Sequence, residues 1–480
     1  ETVSTDFDTS DRLYFDPLTL EHSAEILLRE KAHGILLQFG GQTAINLALP
    51  LAGRLPHLEG MGLNLAMQGT TPDAVDEASD RERFEAFAKR VGLRMPNGTT
   101  ASTPEGVREA VQEIGYPVLI RPSYVLGGRG MEILSNNRQL DAYMEEAFLS
   151  PDRPLLVDEY LGNATELDVD AVCDGSEVLI GAIMEHLEEA GIHSGDSTCF
   201  IPPQNVSKKV LAQVEDWTRK IGIQLGVKGC FNIQYAIRGE TLYVLEVNPR
   251  GSRTFPFVAK ATGVPLARIA ARLTMGEKLA NLDFPEPQSE AVCVKAPVFP
   301  FIKLRGLDPA PGPEMKSTGE VMGSHKRAAA AYLKARLATE IPVPTEGGVY
   351  ITVKNADKHD VIPLAQELEE MGFTIYATRG TAHVLRDSGG INVQTCYRIT
   401  EGLTPDALDL MRQGKIQLII NTPRSTGGAV LDGNMMRRLA VELNIPFVTT
   451  MAGASMEVQA IAEAKEGMPE PRLLDIAILN

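Results

Sequence analysis

The chain has 480 residues and a formal net charge of −17 at pH 7, from 46 Lys and Arg against 63 Asp and Glu. Hydrophobic residues make up 44% and charged residues 23%, which is typical of globular proteins and excludes disordered, collagenous and coiled-coil classes. The length predicts about three domains. The acidic balance argues against nucleic-acid or anionic-membrane binding, because such proteins carry a cationic face. Any phosphate must therefore be held locally, by a few cations, backbone amides or a metal.

The sequence lacks the features of a membrane or secreted protein. No apolar run approaches the roughly 20 residues that cross a bilayer, and the N-terminus does not have the order of a secretory signal. The five cysteines are odd in number, far apart and without a C-x-x-C pair. This pattern favours buried thiols in a reducing compartment over a zinc site or a disulfide framework. We expect a soluble, cytoplasmic protein.

The first unit, residues 1–71, is predicted to be an incomplete α/β unit. A helix is expected at 19–31, an apolar strand at 35–39 and a second helix at 41–53. The opening segment 1–11 is polar and has no initiator Met. We therefore expect the chain to start in the middle of a domain.

The second unit, residues 72–285, is predicted to be an α+β domain. It begins with a helix at 72–92 that has acidic residues in its first turns. The strands expected after it lie at 117–121, 131–134, 155–159, 166–173, 178–185, 231–237 and 241–247, with helices at 103–114, 138–148 and 207–225. Proline and glycine are frequent from 286 to 345, where we predict a linker with one helix at about 324–338.

The last unit, residues 346–480, alternates strands and helices. Strands are expected at 349–353, 373–377, 416–421 and 446–449, and helices at 357–371, 381–387 and 432–443. This alternation predicts a parallel sheet with helices on both faces. Ligands of such sheets bind at the carboxyl ends of the strands, which here read TRGT from Thr378 and NTPRSTGG from Asn421.

Gln234, Glu246 and Asn248 form the first candidate site. If the loop 239–241 closes a hairpin, reflection about its centre places Gln234 directly opposite Glu246. Asn248 follows two positions later on the same face of the strand. Three oxygen-bearing side chains suit Mg²⁺, which takes one or two carboxylates together with substrate phosphates. The alternative is a hairpin with a polar face toward solvent.

Two arginine-containing loops are candidates for phosphate contacts. Arg250 and Arg253 follow the first site in a loop bounded by proline and glycine, and Arg is the usual clamp for carboxylate-like or phosphoryl groups. The segment RPSYVLGGRG, which begins at Arg121, contains Gly127 and Gly128. Its glycines allow backbone amides to approach phosphate oxygens, although it matches neither the P-loop nor the G-x-G-x-x-G pattern. A plain glycine-rich hairpin turn is the alternative.

A third polar loop, GIHSGDS, begins at Gly191. Its histidine, His193, stands alone as a candidate for chemistry. A lone histidine is more often structural than catalytic, so this loop by itself assigns no role.

Together these segments resemble the ATP-grasp fold and, within it, the second synthetase half of the carbamoyl phosphate synthetase large-chain family. The resemblance covers the whole chain, and the RPS-x-x-x-GG text together with the EHLEEAGIHSGDS loop is specific to the family. The matching segments are ETVSTDFDTSDRLYF at 1–15, GGQTAINLA at 40–48, RPSYVLGGRGMEI at 121–133, MEHLEEAGIHSGDS at 184–197, LEVNPRGSRTFPFVAKATGVPLA at 245–267 and PEMKSTGEVMG at 313–323.

The resemblance implies the roles of particular residues. The implied ATP contacts are Arg81, Arg121, Gly127, Gly128, Glu159, Leu161, Glu166, Gly191, Ile192, His193, Ser194, Gln234 and Glu246. The implied metal ligands are Gln234, Glu246 and Asn248. The implied catalytic residues are Arg250, which would face carbamate and the transferring phosphoryl group, Arg121 and Asn248. The implied cofactors are ATP and Mg²⁺, with Mn²⁺ as a substitute and K⁺ as a further cation.

Residues 346–480 resemble the methylglyoxal synthase-like regulatory domain of the same chains. The positions that match those binding a phosphorylated effector are Lys358, Thr378, Thr381, Arg398 and Asn421. Hydroxyls and amides at strand-to-helix turns, with nearby cations, suit an anion. True methylglyoxal synthases carry a catalytic Asp after the Gly-Gly, whereas this chain has Ala429, so lyase activity is not expected.

The expected fold is therefore multidomain α/β and α+β, with a truncated pre-ATP-grasp unit, an ATP-grasp domain and a C-terminal Rossmann-like parallel-sheet domain. The implied activity is ATP-dependent phosphorylation of carbamate to carbamoyl phosphate, which feeds arginine and pyrimidine biosynthesis. The family motifs occur once, so the chain is expected to be a fragment that lacks the bicarbonate-phosphorylating half. The implied partners are that half, a glutamine amidotransferase small subunit, a phosphorylated effector and, in an oligomer, further copies.

Two other functions remain open from the residues. One is another ATP-grasp carboxylate–amine ligase, which an amino-acid-dependent release of ADP would reveal. The other is an inert effector-binding module that controls a partner enzyme. The intact set of Gln234, Glu246 and Asn248 argues against inertness.

Overall fold

The computed structural model describes residues 10–122, 130–147, 154–287, 291–303, 308–422 and 428–470. The first unit contains a two-stranded parallel sheet and three helices. Its elements are α1 (Leu20–Glu30), β1 (Gly34–Ile35), α2 (Gly41–Ile45), α3 (Ala48–Gly60) and β2 (Ala66–Met67). The strand expected at 35–39 is shorter because its partner β2 has only two residues. The helix expected at 41–53 is two helices.

Four helices and a four-stranded antiparallel sheet follow, with the strands in the order β3-β6-β4-β5. The elements are α4 (Pro72–Ser79), α5 (Arg81–Val91), β3 (Gly98–Ala101), α6 (Pro104–Ile114), β4 (Val118–Pro122), β5 (Glu132–Leu134), α7 (Asn137–Ala147) and β6 (Leu155–Glu159). The single helix expected at 72–92 is interrupted at Asp80, whose side chain accepts a hydrogen bond from the Arg83 amide and caps α5. A carboxylate at this position satisfies an amide that has no partner within the helix.

The centre of the molecule is a seven-stranded antiparallel sheet in the order β11-β10-β7-β8-β9-β12-β13. Its elements are β7 (Thr165–Asp174), β8 (Val178–Glu189), β9 (Cys199–Ile201), α8 (Lys208–Gln224), β10 (Lys228–Arg238), β11 (Thr241–Asn248), α9 (Phe255–Thr262), α10 (Leu266–Thr274), β12 (Val292–Val298), β13 (Gly319–His325) and α11 (Ala328–Ala338). One face packs with α8 around Phe231 and Ile233. The other packs with α9 and α10 around Val172 and Met184.

The segment 286–345, predicted as a linker, contributes β12 and β13 to this central sheet. The composition misled the prediction, because the densest run of prolines and glycines, at 309–313, lies in the connection between the two strands. The helix expected there is α11. The predicted unit boundaries at 71, 285 and 345 stay predictions.

The last unit is a five-stranded parallel sheet in the order β16-β15-β14-β17-β18. The parallel sheet predicted from the alternating pattern is confirmed. Its elements are β14 (Gly348–Thr352), α12 (Val361–Glu370), β15 (Thr374–Thr378), α13 (Arg379–Asp387), β16 (Val393–Cys396), α14 (Ala407–Arg412), β17 (Leu418–Asn421), α15 (Gly428–Glu442), β18 (Phe447–Val448) and α16 (Met451–Glu466). The strand β16 and the helices α14 and α16 were not predicted.

A buried polar contact joins this last unit to the rest of the molecule. Glu457 on α16 is fully buried. It accepts hydrogen bonds from Tyr332 Oη at 2.8 Å and Arg336 Nε at 3.1 Å, both on α11. Because a buried carboxylate is stable only when it is paired, this contact holds α11 and α16 together.

The five cysteines are all buried and none forms a disulfide, so the predicted free thiols are confirmed. Across the described ranges, the structure contains no helix that combines the length and apolar character needed to cross a membrane.

Candidate functional site

The first candidate residues meet on one face of the central sheet, near the edge strand β11. Gln234 on β10 lies between Glu246 on β11 and Asp168 on β7. The predicted pairing of Gln234 with Glu246 is confirmed. The next row along the same face contains Asn248, Asn232 and Asp170. Polar side chains from the β10–β11 hairpin and from β7, about 60 residues earlier in the chain, therefore form one surface.

The register at this surface depends on a β-bulge. The hairpin turn has two residues, Gly239 and Glu240, since Arg238 pairs with Thr241. The centre of the turn was therefore predicted half a residue too far along the chain. The register shifts between Gln234 and Tyr235 and leaves Leu245 without a cross-strand partner. This extra residue restores the predicted pairing at Gln234, and it changes the side of the sheet that the following residues face.

The three predicted metal ligands present oxygen atoms with one carboxylate among them. Asn248 Nδ2 donates to Glu246 Oε1 at 2.8 Å, and Gln234 Nε2 donates to Ser194 Oγ at 3.2 Å. Arg121 Nη1 lies 4.0 Å from the second oxygen of Glu246. In the described part of the chain, no cluster of three or more His, Cys, Asp or Glu side chains is arranged to hold a metal. A cation here would rely on amide oxygens and one carboxylate, which suits Mg²⁺.

Arg250 is held by three acceptors and does not extend freely from its loop. Its Nε donates to Gln42 Oε1 at 2.7 Å, and its Nη2 donates to Asn248 Oδ1 at 3.1 Å. Its Nη1 donates to the carbonyl of Gly251 at 3.1 Å. Burial lowers the pKa of Arg250, but an arginine stays protonated at neutral pH. The guanidinium is thus fixed beside the candidate metal ligands.

The first unit supports this arrangement through two glutamines that the sequence analysis did not single out. Besides the contact of Gln42 with Arg250, Gln38 Nε2 donates to the carbonyls of Cys230 and Pro249, each at 3.1 Å. The side chain of Gln38 is 2% exposed. The GGQT text pointed to this region, but only the folded chain shows that it braces the Arg250 loop.

Arg81 and Arg121 lie near Asp158 with unsatisfied donors. Arg81 Nη2 donates to Asp158 Oδ1 at 2.7 Å, and both side chains are largely buried. Burial raises the pKa of Asp158 against the opposing effect of Arg81 and Arg121. Among the described residues, the Nε atoms of both arginines are buried and have no hydrogen-bond partner. Buried donors are nearly always paired in folded proteins, so these two are suited to a ligand.

Glu166 belongs to an acidic group that includes a histidine. His186 lies with Nδ1 3.5 Å from Glu166 and Nε2 3.2 Å from Asp168. Burial raises the pKa of Glu166. Burial alone would lower the pKa of His186, but its contacts with Cys199, Asp168 and Glu166 outweigh burial and raise it well above its usual value. Glu166 Oε2 and His186 Nδ1 face each other at 3.5 Å and make no closer polar contact within the described ranges.

The sequence analysis missed Asp168, Asp170 and His186, although a signal for the two aspartates was present. Glu166, Asp168 and Asp170 occupy alternate positions of β7, between apolar residues that face the α8 core. Alternation of this kind places the acids on one face of the strand. His186 had no comparable signal, because its partners come from another strand.

The loop from Gly191 to Ser194 adopts a tight turn that begins with Gly191 at φ +95°. His193 Nδ1 accepts a hydrogen bond from the Gly195 amide at 3.0 Å, and burial lowers the pKa of His193. A neutral, accepting His193 fits the structural alternative. Lys295 Nζ donates to the carbonyl of Ser194 at 3.1 Å, so the loop is held from the strand β12. Ile192 lies in the same turn and is half-buried.

The remaining predicted ATP contacts are more dispersed. Glu159 ends β6, and its carboxylate accepts from Arg238 Nη1 at 2.8 Å and Asn97 Nδ2 at 3.2 Å. Leu161 is buried against Ala236. The same cluster packs against Leu245, which directly precedes Glu246. The role of Glu159 and Leu161 in holding a base stays a prediction. Gly127 and Gly128 lie outside the described residues.

The predicted effector residues line one cavity at the carboxyl ends of the parallel strands. The residues that share it are Lys358, Thr378, Thr381, Arg398 and Asn421. Thr378 precedes α13 and does not cap it with its side chain, so the first amides of this helix face no side-chain cap. Lys358 Nζ lies close to Gly380. A Cβ placed on this glycine would be 3.1 Å from the nitrogen, so a larger residue here would crowd the lysine. The sheet edge predicted from the pattern is therefore where these residues meet. That they bind an effector stays a prediction.

A central antiparallel sheet with an acidic, arginine-flanked face and a preceding α/β unit defines an ATP-grasp protein. The comparisons agree with this class. The family models that match are the carbamoyl phosphate synthase preATP-grasp domain (residues 1–77), the ATP-binding domain of the carbamoyl-phosphate synthase L chain (residues 80–282) and the MGS-like domain (residues 360–449). The chain belongs to the carbamoyl phosphate synthase large-chain family.

Similar proteins and structures extend this finding. The chain is 48% identical over 469 residues to the carbamoyl phosphate synthase large chain of Methanosarcina acetivorans. The alignment covers 97% of this chain and 43% of that protein. It is 47% identical over 480 residues to that of Methanothermobacter thermautotrophicus, covering 99% and 44%. The chain therefore spans less than half the length of these relatives.

Two solved structures share the fold. One is the biotin carboxylase domain of Hydrogenobacter thermophilus 2-oxoglutarate carboxylase, in complex with MgADP, ADP and bicarbonate, with a TM-score of 0.54, 18% identity and coverage of 68% of this chain and 79% of that one. The other is the Campylobacter jejuni biotin carboxylase as a β,γ-ATP complex, with a TM-score of 0.51, 14% identity and coverage of 67% and 77%. At these identities the likeness concerns the fold alone.

Proposed function

We propose that this chain transfers a phosphoryl group from ATP to carbamate, which yields carbamoyl phosphate and ADP. The relatives it matches are named carbamoyl phosphate synthase large chains. The single observation that best supports ATP binding is the pair of buried, unsatisfied Nε donors of Arg81 and Arg121. Arg121 Nη1 lies 4.0 Å from Glu246 on the acidic face, where a metal-bound polyphosphate would meet both a cation and a metal ligand.

The residues present fit Mg²⁺, because Gln234, Glu246 and Asn248 supply hard oxygen ligands. A bound Mg²⁺ would neutralise charge on the phosphates and hold them in register. Mn²⁺ could occupy the same oxygens. The resemblance further implies K⁺, to which we assign no residue.

The protein's own contribution to the reaction would be positioning and charge stabilisation, as is usual in phosphoryl transfer. Arg250, fixed by Gln42 and Asn248, would hold its guanidinium against the oxygens of carbamate and of the transferred group. Arg121, 4.0 Å from Glu246, would act on the phosphate side. His186 would keep Glu166 oriented within the acidic group and would take no part in proton transfer.

The reverse reaction tests the proposal. The chain would be incubated with Mg²⁺, ADP and carbamoyl phosphate, and the ATP formed would be measured, with a chain bearing Glu246→Gln as control. We expect ATP from the unchanged chain and little from the control. Absence of ATP from the unchanged chain would contradict the proposal. ADP release from ATP that requires an added amino acid would favour another ATP-grasp carboxylate–amine ligase.

We propose in addition that the C-terminal cavity binds a phosphorylated regulator. Lys358 and Arg398 supply countercharge, and the amides at the start of α13 supply donors. A glutamine amidotransferase small subunit and the bicarbonate-phosphorylating half are the proposed partners, since the chain corresponds to less than half of its relatives. The proposed setting is the cytoplasm, in the supply of carbamoyl phosphate to arginine and pyrimidine biosynthesis.

A further inference from the structure

A buried arginine connects the C-terminal cavity to the centre of the molecule. Arg437 on α15 has a side chain only 3% exposed. Its Nη1 donates to Asn421 Oδ1 at 2.6 Å, and Asn421 lines the cavity. Its Nε and Nη2 donate to the two carboxylate oxygens of Asp308 at 2.9 and 2.6 Å. Only the side chain of Asn421 thus separates Arg437 from a molecule in the cavity. Arg437 also binds Asp308 through two parallel hydrogen bonds, the bidentate geometry that makes arginine–carboxylate pairs specific.

Asp308 begins a segment, 308–317, that ends at the nucleotide-site loop. The amides of Lys316 and Ser317 donate to the carboxylate of Asp196 at 2.8 and 2.9 Å. The carbonyl of Gly312 accepts from the His193 amide at 2.9 Å. The segment therefore holds both ends of the loop 193–196.

The segment is also tied to itself near Asp308. Lys316 Nζ donates to the carbonyls of Ala310 at 2.7 Å and of Asp308 at 3.2 Å. Ser194, in the loop that the segment holds, accepts from Gln234 at 3.2 Å. An unbroken series of contacts thus leads from Asn421 in the cavity to Gln234 among the candidate metal ligands.

We propose that the Asp308–Arg437 pair is a regulatory latch between the two sites. While the pair is closed, the segment 308–317 positions the loop 193–196 for nucleotide binding. An anion in the cavity attracts the guanidinium of Arg437 and weakens its hold on Asp308, so that the loop is less well positioned. This inference rests on the proposed function of both sites and adds the route by which one controls the other.

Gly433 allows the latch to be opened without any ligand. A Cβ added at Gly433 would lie 2.8 Å from Arg437 Nη1 and 3.4 Å from Asn421 Oδ1. The arginine head group would have to move, because real Cβ atoms do not approach a side chain that closely. Gly433→Ala therefore pushes Arg437 from the side on which a ligand would act.

The test uses the full chain with two variants and a matched control. Asp308→Asn keeps the size of the side chain and removes its charge, while Gly433→Ala displaces Arg437. The control, Glu463→Gln, breaks the ion pair of Glu463 with Arg327 at 2.6 Å, which also joins the 319–338 region to the last unit but does not contact the loop. The two measurements are the KM for ADP in the reverse reaction and amide hydrogen exchange at 193–196 and 312–317.

We expect Asp308→Asn to raise the KM for ADP about fivefold to tenfold, within the usual range of coupling between sites, and to speed exchange in both segments while turnover changes less than about twofold. Gly433→Ala should act in the same direction more weakly, and Glu463→Gln should change neither measurement.

Unchanged KM and exchange in Asp308→Asn would overturn the latch. An effect of Asp308→Asn without one of Gly433→Ala would remove the cavity from the proposal, and an equal effect of Glu463→Gln would reduce the pair to general interdomain stability. If the unchanged chain forms no ATP, the proposed activity fails, but the exchange measurement still decides the latch.

Discussion

The acidic face of the central sheet and the C-terminal cavity carry charge of opposite sign. The sheet face presents Glu166, Asp168 and Glu246, whereas the cavity presents Lys358 and Arg398 against the carboxylate of Asp432. A phosphate can approach the first only together with a cation, because like charges repel in a partly buried site. It can bind the second directly. The two regions illustrate two ways in which one acidic chain can hold phosphorylated ligands.

The two regions also differ in how the fold assembles them. The sheet face depends on the register of antiparallel strands, since a slip of one residue would turn Gln234 away from Glu246. The cavity depends on the topology of a parallel sheet, where strand ends meet at one edge whatever their side chains. We therefore expect a single substitution on the sheet face to reduce activity strongly. A single substitution in the cavity should have a smaller effect on ligand binding.

The largest expected effect concerns the one carboxylate among the candidate metal ligands. Glu246→Gln removes the charge that would anchor Mg²⁺ and should lower the reverse reaction by about 10³-fold or more, the scale of losing metal stabilisation of a transition state. The rate of ATP formation at saturating Mg²⁺ measures this. Glu240→Gln at the hairpin tip, where Glu240 accepts from Ser207, serves as control. Turnover of Glu246→Gln equal to that of the unchanged chain would remove Glu246 from the metal site.

The next effect concerns the guanidinium beside that site. Arg250→Ala should reduce turnover about 10²-fold, the cost of one lost electrostatic contact in a transition state. Steady-state rates of the reverse reaction measure this, and Arg272→Ala, which removes an exposed arginine paired with Glu277, is the control. If Arg250→Ala lowers only the thermal midpoint of unfolding and leaves turnover intact, then Arg250 braces the loop and does not act on substrate.

The pairing of Gln234 with Glu246 was predicted correctly, although the turn from which it was predicted was not. The pairing of Gln234 with Glu246 rested on a symmetric turn centred on residue 240. The real turn is shorter, and the bulge at Leu245 compensates for the error. A bulge is set by local packing and twist, which a count of residues cannot reveal, so the prediction was right at the site and wrong at the tip.

Other features were beyond the reach of sequence patterns. The strands β12 and β13 pair with each other across a connection rich in proline and glycine, and that composition marked the whole segment as a linker. The contacts of Gln42 with Arg250 and of Asp308 with Arg437 join residues 208 and 129 positions apart. By contrast, Thr378 and Asn421 were correctly predicted to lie at strand ends. The carboxyl ends of parallel strands lie at the same edge of a sheet, so locating the strands in the sequence was sufficient.

A third prediction follows from Asp170, in the row beside Asn232 and Asn248. Burial raises the pKa of Asp170 to about 6, although Thr254 and Ser252 donate hydrogen bonds to its carboxylate. An unfolded chain releases this proton near pH 4. The folded chain therefore binds the extra proton between pH about 4 and 6, and the free energy of unfolding should fall as the pH rises through that range.

In the unchanged chain we expect the free energy of unfolding to fall by about 1–3 kcal/mol between pH 4 and 6. Asp170→Asn has a neutral side chain at every pH in this range and should remove that fall. Urea unfolding at a series of pH values measures it. Asp174→Asn on the same strand is the control. Burial would raise the pKa of Asp174, but hydrogen bonds from Ser176, Glu177 and Leu279 lower it to about 2. Its stabilising effect is therefore complete above pH 4 and is lost only in more acidic solution. If Asp170→Asn keeps the slope of the unchanged chain, the proton is held elsewhere.

The smallest expected effect lies in the cavity, where several weak contacts share the ligand. Lys358→Ala should weaken the binding of a nucleoside monophosphate about tenfold, since removal of one countercharge leaves Arg398 and the amides of α13 in place. Calorimetry on the full chain, with the nucleotide site filled by MgADP, measures this binding. Lys415→Ala, which changes an exposed lysine before β17, should leave it unaltered.

The same variant separates the two regions. Without a ligand in the cavity, Lys358→Ala should form ATP in the reverse reaction at the rate of the unchanged chain, because Lys358 belongs to the cavity and has no part in the acidic face. A fall in that rate comparable to the effect of Arg250→Ala would mean that the cavity contributes to catalysis directly. Failure of every nucleotide and acylated amino acid to bind at about millimolar concentration, where an affinity of about −4 kcal/mol would still register, would leave the parallel-sheet unit with a structural role.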